Sequence, residues 1–133
     1  MRRYAHVLRS RRGQAVVELA LVLPVLLLLL LGTWETADIL HKYLVLTGAA
    51  REGARLGAVG ATDAEIRERV KAVGASLGLE DGDITLSPEE GERRPGEPLS
   101  VEVRTEVKLL TPILSGVLPN PFPLKVQTVM RVE

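Results

Sequence analysis

The group most out of place in this chain is the carboxylate of Glu18. It lies inside the apolar stretch RRGQAVVELALVLPVLLLLLLG (residues 11–32), five residues after Gly13. A carboxylate at the centre of a bilayer costs about 2.5–3.5 kcal/mol. Near a helix start the cost is smaller, because the helix dipole favours negative charge there. The chemistry open to Glu18 is that of a buried charge and not of catalysis. Nothing else in the chain is arranged as a catalytic set. The only histidines are His6 and His41, and no Ser/His/Asp set, metal-ligand cluster or phosphate-cradling glycine loop occurs. Glu89, Glu90, Glu92 and Glu97 fall in a turn-rich run, a poor place for preorganised acid–base work, so their charges are expected to face water. The absence of cysteine excludes disulfides, thiolate zinc sites and cysteine nucleophiles. The expectation is a protein that is not an enzyme, with no cofactor and no metal.

Residues 15–34 hold Glu18 and Thr33 as their only polar members. Their length is about the 20 residues a helix needs to cross a bilayer. Trp34 closes the run where an aromatic belt residue is expected. Pro24, in the early turns, is expected to bend the helix only locally. Arg2, Arg3, Arg9, Arg11 and Arg12 precede the run with no acid among them, which predicts the N-terminus inside and the body outside. Five of the 17 basic residues lie in this leader, leaving twelve against all 17 acids in the rest of the chain. An acidic body speaks against nucleic acid as its partner. Only four aromatics occur (Tyr4, Trp34, Tyr43 and Phe122), too few for a stacking platform. A cleaved secretory signal fits poorly, since Thr33-Trp34-Glu35 is not a small-residue cleavage region and Ala37 is followed by Asp38. A plain signal anchor leaves Glu18 unexplained.

The stretch Gly13-Gln14-Ala15-Val16-Val17-Glu18 resembles the processing site of the type IV pilin superfamily. With the apolar continuation to Gly32 and the later GAAREGARLGA (residues 48–58), the chain is similar to the TadE-like family of tight-adherence (Flp) pilus systems. The resemblance implies a minor pilin or pseudopilin, cut between Gly13 and Gln14 by a prepilin peptidase at the cytoplasmic face. It implies that Glu18 then pairs with the new amine on Gln14 of a neighbouring subunit, setting the register of one stem against the next. The competing reading of Glu18 is an interfacial glutamate that reaches the headgroups. The implied partners are the membrane, the peptidase and other pilin subunits, with no nucleic acid and no small-molecule substrate. The implied setting is the cytoplasmic membrane, single-pass, with export into a pilus or a role in secretion and adhesion.

These residues need a scaffold. The pattern divides the chain into a basic leader (1–13), a transmembrane helix (14–34), its continuation outside (35–60) and a small α+β domain (61–133). The helix from 14 to about 59 would be about 70 Å long, with Asp38 and Lys42 at pairing distance. Its outer half carries two small-residue ridges: Ala49, Gly53 and Gly57, and Ala50, Ala54 and Ala58. They permit close approach of another helix or of the chain's own domain. Arg51 and Arg55 read as a solvated face. Thr62 and Glu65 read as a capping box for a second amphipathic helix to Leu77, with Ile66, Val70, Val73 and Leu77 as its stripe and Gly78 as its cap. Strands are expected over 83–87, 99–109 and 124–132, the latter two alternating apolar and polar. The polar loop 87–98 should be solvated. The proline-broken segment 110–123 should hold no regular element, and serve as a core cap or contact patch. The fold class is thus α+β: a long helix, a second helix and a three-stranded antiparallel sheet. Two functional rivals stand beside the minor pilin: a bitopic binding protein with no filament, and a major pilin. The body is large for the latter.

Overall fold

A computed structural model of the chain describes residues 11–133. The leader arginines Arg2, Arg3 and Arg9 lie outside the described residues. The first element is a single helix, α1 (Arg11–Ala58). It starts three residues before the expected boundary, and Pro24 lies within it without ending it. Apolar side chains from Val16 to Trp34 are exposed apart from the half-buried Leu28, and the helix is long and apolar enough to cross a membrane. Hydroxyls along it are satisfied locally. Thr33 donates to the Leu29 carbonyl and Thr36 to the Gly32 carbonyl, both at 2.8 Å.

Gly60, at φ 89°, turns the chain after α1. The capping box then starts α2 (Asp63–Val73): Thr62 accepts from the Glu65 amide, and the Glu65 carboxylate accepts from the Thr62 amide at 2.9 Å. The helix ends at Val73, four residues earlier than Leu77. Gly74 is the reason. A Cβ there would stand 2.5 Å from Leu79 Cδ1, so Leu79 packs over it and the chain tightens into a 3₁₀ turn, Ala75–Leu77. Gly78, in the left-handed region at φ 64°, caps that turn instead of the helix. Ile66 and Val70 are fully buried, whereas Val73 is exposed.

Strands β1 (Ile84–Ser87), β2 (Pro98–Val107) and β3 (Phe122–Arg131) form an antiparallel sheet in sequence order. Asp83 belongs to a 3₁₀ turn and not to β1. The register pairs Ile84 with Val103 and Val103 with Val126, so apolar positions of three strands fall on one face. Leu99, Val101, Val103, Leu124 and Val126 from this face meet Ile66 and Val70 of α2 and Leu46, Ala49, Ala50 and Ala54 of α1. This α+β layering covers the one apolar face that a three-stranded sheet leaves open. The outer half of α1 is therefore part of the core. The end of β3 also closes its top, where the Glu133 amide donates to the Ala58 carbonyl at 2.8 Å.

Two expectations need correction. Segment 110–123 contains a short helix, α3 (Pro112–Val117), which Pro112 starts because its fixed φ and missing N–H suit the first helical turn. The loop between β1 and β2 is not wholly solvated. The Arg93 side chain is only 8% exposed and pairs with Asp63. It also donates to the carbonyls of Ala61 at 2.9 Å and Pro88 at 3.2 Å, clamping the loop to the start of α2.

Candidate functional site: the stem helix and its neck

Along α1 three zones have different surroundings. In the first, Gly13, Gln14 and Glu18 are exposed on the opening turns, and among the described residues nothing packs against Gly13. The Glu18 carboxylate thus points to no group of its own fold among the described residues.

The third zone holds the small-residue ridges, and both lie under the chain's own domain. Ala49, Ala50 and Ala54 are fully buried and Ala58 nearly so. A Cβ on Gly53 would approach Val70 Cγ2 to 2.5 Å, and one on Gly57 would stand 2.9 Å from Ile66 Cδ1 and closer still to Leu99. Glycine is required at these positions for the backbone to reach α2 and β2. Away from the domain the outer stem is bare, and Tyr43 is exposed at the domain's edge. Leu40 and Leu44 are exposed on the bare side, and a Cβ on Gly48 would meet nothing.

Charges flank this packing. Lys42 donates to Asp38 at 2.7 Å, the expected i,i+4 pair. Arg55 does not stand free: it donates to Glu52 at 2.8 Å, and Arg69 of α2 reaches the same carboxylate at 3.0 Å. Hydrogen bonds from Arg55 and then Arg69 hold the Glu52 carboxyl at about 2, against burial, which acts the other way. Because the folded value is depressed, the clasp between α1 and α2 is complete above the ordinary carboxylate pKa of 4.5 and is lost as pH falls through about 2. Carboxyl carbon NMR should show Glu52 still ionised at pH 4. Titration there with an ordinary midpoint near 4.5 would refute the clasp.

The second zone, between the other two, is a neck that the sequence did not reveal. Glu35 follows Trp34 directly and is only 3% exposed. One of its oxygens accepts from the Leu110 amide. The other accepts from the Thr111 hydroxyl and, at 3.2 Å, from the Thr111 amide. Led by the Thr111 hydroxyl, these bonds outweigh desolvation and hold the Glu35 carboxyl below the usual carboxylate range. The chain just beyond β2 is thereby latched onto the stem. Asn120 steadies the far side of the loop, accepting from the Leu109 amide at 3.0 Å and donating to its carbonyl at 3.1 Å. Below the latch, Ile113 and Leu114 of α3 face Leu28, Leu29, Gly32, Thr33 and Thr36 of α1 across a shallow groove.

Among the described residues there is no group of three or more His, Asp or Glu able to hold a metal ion, and His41 is exposed. What the arrangement offers is surface: a naked apolar rod, one bare side of the outer stem, and a latched neck. Residues 13–55 match the family model described as TadE-like protein. No curated protein and no solved structure matches the chain.

Proposed function

We propose, from the premise that residues 13–55 are TadE-like, that the protein is a minor pilin or pseudopilin of a Tad pilus. In this reading residues 14–34 span the cytoplasmic membrane with the body outside, and a prepilin peptidase cuts between Gly13 and Gln14. The observation that carries it is the division of α1. Its first half is apolar on every side, and its second half is clad on one side only. A lone membrane anchor has no need of a bare helical side outside the lipid. Stems packed together do, because Leu40, Tyr43, Leu44 and the open Gly48 then find apolar cover. In this reading Glu18, which has no partner among the described residues, neutralises the amine that cleavage leaves on Gln14 of a neighbour. Both are charges that lipid disfavours.

Intact-mass measurement of the protein from its native host tests the processing step. The mature chain is expected to begin at Gln14. A chain beginning at Met1, or one lacking the whole apolar stretch, refutes the reading. Glu18→Ala should still insert in the membrane yet fail to appear in the sheared pilus fraction. Undiminished recovery there would remove the register role.

A further inference from the structure

We infer that segment 109–123 is a second membrane contact, a short apolar foot that rests in the outer leaflet beside the stem. The inference rests on the membrane-spanning reading of α1, and its first support is geometric. Ile113 and Leu114 line one shallow groove with Leu28, Leu29, Gly32, Thr33 and Thr36 of the stem. Leu28 is six residues before Trp34, about 9 Å down the helix axis. A bilayer that covers the apolar stem up to Trp34 therefore also reaches the lower part of this groove, which Ile113 and Leu114 line. The lower end of the groove thus lies within the ~5–10 Å that interfacial segments reach.

The chemistry of the segment agrees. Residues 109–124 contain no charged side chain, and Lys108 and Lys125 bracket them. Leu110, Ile113 and Val117 are 75%, 50% and 82% exposed. In water this would be a costly patch, whereas in lipid it is favourable. Backbone polarity is also reduced, as burial in hydrocarbon demands. Pro112, Pro119, Pro121 and Pro123 have no amide hydrogen. The Leu110 and Thr111 amides go to Glu35, those of Ser115 and Leu118 to carbonyls of α3 and its cap, and the Leu109 amide to Asn120. The Ser115 hydroxyl turns back to the Thr111 carbonyl at 2.9 Å. The Glu35 latch fixes the height of the foot on the stem, just beyond Trp34.

The chain lacks cysteine, so single cysteines can carry a nitroxide without background. Three full-length variants, Val117→Cys, Leu26→Cys and Val129→Cys, would be labelled and placed in phosphatidylcholine–phosphatidylglycerol vesicles. All three positions are exposed, so folding is not at risk. Collisions with oxygen and with an aqueous nickel chelate read depth. The expected result is a severalfold higher oxygen-to-nickel collision ratio at Val117 than at Val129, approaching that at Leu26. A Val117 label in water beside a Leu26 label in hydrocarbon overturns the foot and leaves the anchor standing. Both labels in water overturn the anchor and the foot with it. Spin–spin broadening at Val117 that unlabelled protein dilutes away would show a second copy on the patch, and would also overturn the lipid contact.

Discussion

Gly57→Leu is expected to destabilise the outer domain by about 3 kcal/mol, the upper part of the usual range for overpacking a core. The added Cβ alone would stand 2.9 Å from Ile66 Cδ1 and nearer to Leu99. Both neighbours are fully buried, so neither can swing into solvent. Replacing a mid-helix glycine recovers only about 0.5–1 kcal/mol of backbone entropy, which is too little to compensate. The close approach of α1 to α2 and β2 would have to open, and with it the packing of Ala54 and Ala58. Denaturant-dependent amide exchange in β2, measured on the full chain in detergent, reads the effect. Gly48→Ala is the matched control, because its Cβ meets nothing and the change should be neutral or mildly stabilising. An unchanged midpoint for Gly57→Leu would show that the ridge is not the tight seam described.

Glu35→Ala is expected to free the neck while leaving the sheet intact. The substitution removes the acceptor of two amides and a hydroxyl at once. Hydrogen bonds to a charged group contribute about 1.5–3 kcal/mol each and do not add fully, so the local loss should be at least about 2 kcal/mol. That corresponds to roughly a 30-fold rise in the local opening equilibrium. Hydrogen exchange should speed up at Leu110 and Thr111 and remain slow at Val101 and Val103, which lie in the β2 ladder. Glu35→Gln should lose less, since its amide oxygen still accepts. Equal protection at Leu110 in wild type and Glu35→Ala would refute the latch.

The same residue shows what was legible in the sequence and what was not. The alternating strands, the Thr62–Glu65 box and the small-residue ridges depend on near neighbours in sequence, and each could be read directly. In the sequence, Glu35 is simply the residue after Trp34. Its burial follows from a stripe that was readable in retrospect. Leu46, Lys42, Ile39 and Glu35 step back along α1 by four, three and four, the spacing of one helix face. That face is covered by the domain, so Glu35 is covered too. What no local pattern supplies is its partner, because Thr111 lies 76 residues away. Arg93 is a similar case. It sits in a run that reads as solvated, and is buried only because the turn before α2 folds back against its loop. The early end of α2 reflects a competition between two glycines. Gly78 has the conformation expected of a cap, but Gly74 has the neighbour, Leu79, that decides where the helix stops.

The hydrogen bond from Glu133 to Ala58 has a mechanical consequence. Ala58 is 24 residues beyond Trp34, about 36 Å up the helix. The ten residues of β3 return alongside it, from the neck at Phe122 to the tip. A load applied at the C-terminus against an anchored stem therefore runs along β3. Antiparallel ladder bonds lie perpendicular to their strands. Such a load must shear the whole β2–β3 ladder together and cannot unzip it rung by rung. A pull at Glu133 would thus be borne by all the rungs of that ladder at once.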